Sequence, residues 1–144
     1  MNANAAANAA ANAAANDAAY VAAREKVKAK YDAAQEKAMN LFKAAYTEAN
    51  KKYNNGLKAA KKQKRQAYMS LLSPGSRVQV IHSAIPNATC QAADAIYLTR
   101  IDNISVTRTA ELKAATDISD AMLAGARTIY EHEMRRLRLM NEAQ

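Results

Sequence analysis

Apolar and polar positions in the first half of the chain follow a helical rhythm. Tyr20, Tyr31, Tyr46, Tyr53 and Tyr68 are separated by 11, 15, 7 and 15 residues, or about three, four, two and four turns of helix. All five therefore share one face. Val27, Ala34, Ala38, Phe42, Ala49, Leu57, Ala60, Leu71 and Leu72 fill in the same stripe. From Tyr20 to Tyr68 the repeat averages roughly 3.7 residues per turn, nearer an eleven-residue repeat than a heptad. Residues 20–72 are thus predicted to form one long amphipathic helix, packed straight or slightly right-handed. Asn54-Asn55-Gly56 is a turn signal in isolation. The stripe keeps its phase from Tyr53 to Leu57 to Ala60, which predicts a kink or a tolerated glycine rather than a break.

Ser73-Pro74-Gly75-Ser76 is the clearest stop, because proline cannot continue a helix and glycine suits the cap. Arg77 to His82 alternates briefly like a short strand, and Asn87 is a candidate N-cap. Residues 73–87 are read as a turn or irregular connector. A second helical pattern occupies 88–144, through Tyr97, Ile101, Ile104, Leu112, Ala115, Ile118, Met122, Ala126, Ile129, Met134, Leu137 and Met140. Within it, residues 104–109 are β-branched and weaker as helix, so a loop or strand stays open there. Glu131 and Glu133 precede Arg135, Arg136 and Arg138, an order that suits i,i+4 pairing and the helix dipole.

Residues 1–19 differ from the rest. Asn4, Asn8, Asn12 and Asn16 punctuate a stretch that is otherwise almost all alanine. Alanine is the best helix former, and a period of four drifts about 40° per repeat. The asparagines then form a slowly winding polar stripe on a smooth helix. Small alanine faces let helix backbones approach closely. This segment reads either as a tail that is helical only when docked, or as a close-packing helix whose asparagines face a lumen or a neighbour. Alanine-rich helices also resemble the fish antifreeze class, but the threonines that class carries at eleven-residue intervals are absent here.

The expected fold is all-α: a long helical hairpin, two long helices with a Pro/Gly break. Its arms of about 70 and 50 residues offer each other one seam. Much alanine-rich surface stays uncovered, which predicts assembly into an oligomeric helical bundle or tube. Composition agrees. The chain has 144 residues but only seven Tyr, one Phe and no Trp, with three Gly and two Pro, so large core side chains and turns are both scarce. Cys90 is the single cysteine and cannot pair within the chain. Neither a conventional signal peptide nor a strongly apolar span of about 18 residues is expected.

The net charge of +8 is uneven. Residues 24–68 hold 13 Lys/Arg against 4 Asp/Glu, while 87–144 hold 7 against 8. Within the basic segment Lys58, Lys61, Lys62, Lys64 and Arg65 place five cations in eight residues. Such a run is either a solvated helix face or a surface that neutralises phosphates or anionic lipid. No base-reading motif accompanies it, so nucleic-acid binding here would be independent of sequence and sensitive to salt. Catalysis finds no pattern to rest on. Glu131-His132-Glu133 lacks the second histidine of a zinc-protease helix, since position 136 is Arg. Phosphate-cradling glycine loops, Cys-x-x-Cys pairs and nucleophile elbows do not occur. Asp117 and Asp120 read as a solvated or ion-paired face. Asn87-Ala88-Thr89 and Asn103-Ile104-Ser105 match glycosylation sequons by chance. The expectation is a non-enzyme with no cofactor, no metal and no small-molecule substrate. Tyr20, Tyr31, Phe42, Tyr46, Tyr53, Leu57 and Tyr68 are read as its packing or oligomer seam.

The Ala/Asn stretch from Asn4 to Asn16, followed by the Lys-rich helix from Ala22 to Arg65, resembles the internal virion, or DNA-ejection, proteins of short-tailed bacteriophages. The resemblance covers about half the chain and leaves out residues 77–110. It implies storage in the virion near the portal among other virion proteins, oligomerisation, and release into the host envelope. There such proteins form part of a conduit for DNA and meet the host membrane. Two other functions remain open: a basic helical nucleic-acid-binding protein working through Lys58 to Arg65, and a helical scaffold that binds another protein through the tyrosine seam.

Overall fold

The structure, a computed structural model, describes residues 3–70 and 88–143. Among them are two helices and no strand: α1, Ala3–Ser70, and α2, Ala88–Glu142. The chain is an all-α helical hairpin. The predicted stop at Ser73-Pro74-Gly75-Ser76, the brief strand at Arg77–His82, the N-cap at Asn87 and the stripe positions Leu71 and Leu72 lie outside the described residues.

Two expectations resolve in favour of helix. α1 runs unbroken through Asn54-Asn55-Gly56. Tyr53, Leu57 and Ala60 are held in the seam on either side, and the space a Cβ would need at Gly56 is taken by Ile104, whose side-chain atoms stand 3.1–3.3 Å from that point. Glycine costs a helix interior up to about 1 kcal/mol relative to alanine; here it admits an isoleucine. The weak stretch at 104–109 is helical as well. Thr107 and Thr109 donate their hydroxyls to the carbonyls of Asn103 and Ser105, at 2.8 and 2.9 Å. Ile104, Ser105 and Arg108 are half-buried, so tertiary packing overrides β-branched preference.

The buried residues of α1 reveal its repeat. Val27, Ala38, Ala49 and Ala60 are the buried positions of this helix, each eleven residues after the last. Tyr20, Tyr31, Phe42, Tyr53 and Lys64 form a second line at the same interval, all half-buried. On α2, Cys90, Ile101, Leu112, Leu123 and Met134 recur in the same way and are half-buried too. Eleven residues fill three turns at about 3.67 per turn, close to the relaxed helix. One face therefore stays in the seam without heptad underwinding.

The chain divides into two compact units, Met1–Phe42 with Thr116–Gln144, and Lys43–Ala115. In the first unit α1 and α2 run antiparallel. The Tyr31 and Tyr130 rings meet with centroids 4.9 Å apart, tilted by 34°. Lys30 Nζ reaches Glu133 Oε1 at 3.7 Å. Val27 and Ala38 form the buried line. Arg24 lies over the Tyr20 ring at 5.6 Å. The end of α2, at Leu137, Met140 and Asn141, borders a groove with Asn16, Ala19, Tyr20 and Ala23. The Ala/Asn stretch of α1 continues past this point, and residues 4–19 are exposed.

In the second unit the pairing is again antiparallel, and cations take places that rings hold in the first. Arg108 rests on the Tyr53 ring at 4.7 Å, and Lys64 on the Tyr97 ring at 4.7 Å. A step of eleven along α1 is matched by a step of eleven back along α2. Ala49, Ala60 and Ala115 are the buried residues among those described. A seam filled by alanine brings the helix backbones close, and helix spacing is set by such contact side chains.

Candidate functional site

Polar chemistry concentrates in the second unit, around Lys64. Its Nζ stands 2.7 Å from Asp94 Oδ1 and also faces the Tyr68 ring at 5.6 Å. The Tyr68 hydroxyl donates to the same carboxylate oxygen at 2.7 Å. Nearby Arg100 donates to Gln63 Oε1, and Lys52 Nζ bonds Glu111 Oε1 at 2.8 Å. The Lys64 hydrogen bond, then that of Tyr68, holds the Asp94 carboxyl below the usual carboxylate range. Asp94 in turn raises Lys64 and Tyr68 above their ordinary values, chiefly through the same hydrogen bonds. Glu111 raises Lys52.

These shifts fix a sign for the pH dependence. A depressed Asp94 contributes stability above its ordinary pKa of 3.8 that is lost as pH falls through the folded value. Raised Lys52, Lys64 and Tyr68 contribute stability that is complete below about pH 10 and is lost as pH rises through their folded values. Melting temperature against pH should therefore fall at both ends. Asp94→Asn should flatten part of the acid limb. An unchanged acid limb in that variant would remove Asp94 from the account.

Lys64 was grouped by sequence with Lys58, Lys61, Lys62 and Arg65 as one contact patch. The structure withdraws it, because position 64 lies eleven residues after Tyr53 and so belongs to the seam. The other four are exposed. The tyrosine seam needs one correction also. Phe42 takes the line eleven after Tyr31, so Tyr46 sits at the edge with 45% exposure, while Tyr20, Tyr31, Tyr53, Leu57 and Tyr68 are half-buried. Asn4, Asn8, Asn12 and Asn16 are exposed on α1.

The pattern on α2 was read as a single stripe, but in the first unit it is two. Ala126, Tyr130, Met134 and Leu137 are half-buried. Ile118, Ile129 and Met140, also eleven apart, run along the flank of the seam with exposures of 59, 63 and 51%, and Ile129 and Met140 border grooves against α1. Between Ile118 and Ile129 lie Ala121 and Gly125, four residues apart and exposed. Nothing lies within 4 Å of where a Cβ at Gly125 would stand. The signal was present in the sequence as a second eleven-residue line, three residues after Ala115, Ala126 and Leu137.

No group of three or more His, Cys, Asp or Glu side chains is placed to hold a metal among the described residues. No described helix is long and apolar enough to cross a membrane. Comparison with known protein families, curated proteins and solved structures finds no match for this chain.

Proposed function

We propose that this protein is a non-enzymatic structural subunit that works as a homo-oligomer. The observation that carries this is the exposed flank of α2 in the first unit, where Ile118, Gly125 and Ile129 leave apolar surface uncovered beside an open notch. Gly125 weakens its helix and none of the described residues fills its space. Small residues at i and i+4 admit a second helix at short distance. Large exposed isoleucines around such a notch mark an interaction surface.

A second copy is the fitting occupant. The first unit holds nine Lys/Arg and nine Asp/Glu, so copies meet there without net repulsion. The Ile118–Ile129–Met140 line has the same eleven-residue interval as the helices of the chain, so a helix of another copy keeps pace with it. An internal virion protein, stored in a phage particle and released with its DNA, is the specific role we favour. That role rests on the resemblance of the Ala/Asn stretch and the Lys-rich helix.

Light scattering at moderate salt, without nucleic acid, tests the assembly. A discrete mass of several chains is the expected result; a monomer across micromolar concentrations overturns it. Removing residues 1–15 should leave the melting transition in place, since the stretch is exposed, yet lower the assembled mass. A scaffold for a different protein would instead stay monomeric in both forms.

A further inference from the structure

From Lys51 onward, past Glu48, the outward face of α1 in the second unit has charge of one sign. From Lys51 to Ser70 the helix carries Lys51, Lys52, Lys58, Lys61, Lys62, Lys64 and Arg65, and no acid. The second unit as a whole holds twelve Lys/Arg against four Asp/Glu, which accounts for the entire net charge of +8. Packing then sorts these cations. Lys52 and Lys64 lie beside α2 and are consumed by Glu111 and Asp94. Lys51, Lys58, Lys61, Lys62 and Arg65 are exposed, and none of the five forms an ion pair among the described residues.

Four of them stand in file. Lys51, Lys58, Lys62 and Arg65 follow at intervals of seven, four and three residues, and so share a face over about 21 Å of helix. Lys61 lies beside them. A row of uncompensated cations of this length suits a polyanion with regularly spaced charges. Asn54 and Asn55 lie between them and Gln66 just beyond, side chains that hydrogen-bond to phosphate and sugar oxygens. A helix that lies on a membrane needs an apolar face next to its cations. In α1 that face, with Tyr53, Leu57 and Ala60, is taken up by the seam.

We infer that this face binds the phosphate backbone of duplex nucleic acid without reading its sequence. Five contacts predict a log–log salt slope near about −4.5, and a loss of roughly 10²–10³ in affinity from 50 to 200 mM salt. This inference stands apart from the assembly proposal, which uses the other helix and the neutral unit.

The test uses the full chain and a fluorescent 30-bp duplex of random sequence, read by anisotropy at both salt concentrations. In one variant Lys58→Gln, Lys61→Gln, Lys62→Gln and Arg65→Gln remove four charges while keeping good helix formers. In a matched control Lys26→Gln, Lys28→Gln, Lys37→Gln and Arg135→Gln remove four from the first unit. Circular dichroism establishes that both remain helical. The expected result is a loss of at least about 10²-fold at 50 mM in the first variant, with its slope reduced by about 3.6. The control should stay within a few fold of wild type. Equal losses in the two variants would mean that only net charge matters and would overturn the site. Salt-independent binding would overturn it as well. So would binding to vesicles with a third anionic phospholipid at concentrations where the duplex stays free.

Discussion

Ala38→Leu, Ala49→Leu and Ala60→Leu are each expected to lower the melting temperature by about 5–15 °C. These positions are 0, 3 and 3% exposed, and they lie on the line that brings α1 against α2. A leucine adds three heavy atoms where the opposing backbone stands. The helices must separate, or side chains must leave their rotamers, at a cost of about 1–3 kcal/mol per site. For a chain of this size that corresponds to a shift on the order of several degrees per kcal/mol. The effect is large because little else holds the pair together: Val27 and Ala115 are the only other buried apolar residues among those described. Ala44→Leu is the control. It is exposed and alanine and leucine have similar helix propensity, so its melt should match wild type. Thermal melts followed at 222 nm read both. A rise in melting temperature at Ala38 would mean that the seam is underfilled, not tight.

The second large effect concerns assembly. Gly125→Gln should make the isolated hairpin more stable by about 0.5–1 kcal/mol, because it replaces glycine inside an exposed helix turn. The same change closes the notch between Ile118 and Ile129, so the assembled mass should fall to that of the single chain. Ile129→Lys should do likewise by placing a charge on the contact face. Stabilisation together with disassembly is an outcome that a purely structural glycine cannot produce. If Gly125→Gln kept the full mass, the copies would have to meet elsewhere. The exposed Val21, Met39 and Leu41 of α1 would be the next place to look.

Much of the hairpin was legible in the sequence because its signals are local. The tyrosine spacing announced α1 and its near-eleven repeat, and the stripe carried through Asn54-Gly56 without losing phase. Ile104 explains that continuity only in the structure, since a residue 48 positions away fills the glycine's place. The stretch at 104–109 stayed open for the opposite reason. Its β-branched residues disfavour helix locally, and only contact with α1 reverses the preference. Tyr46 was misplaced by a few tens of degrees around the helix, and Lys64 was grouped by a run of charge, which takes no account of the face a residue occupies. A spacing of 15 residues keeps a side chain near a face without deciding whether it lies at the centre or the edge. The two lines on α2 merged into one for the same reason.

Taken alone, the sequence determined the all-α class, the two long helices, the shortage of large core residues and the concentration of base in residues 24–68. It could not determine how that charge is shared out. The antiparallel register did so, by setting Lys30 against Glu133 and Tyr31 against Tyr130, about a hundred residues apart. It thereby makes the first unit neutral and leaves the whole excess on the second. Register is a property of the packed pair. It depends on which alanines and rings meet across the seam, and helical periodicity, which is blind to partners, carries no information about that.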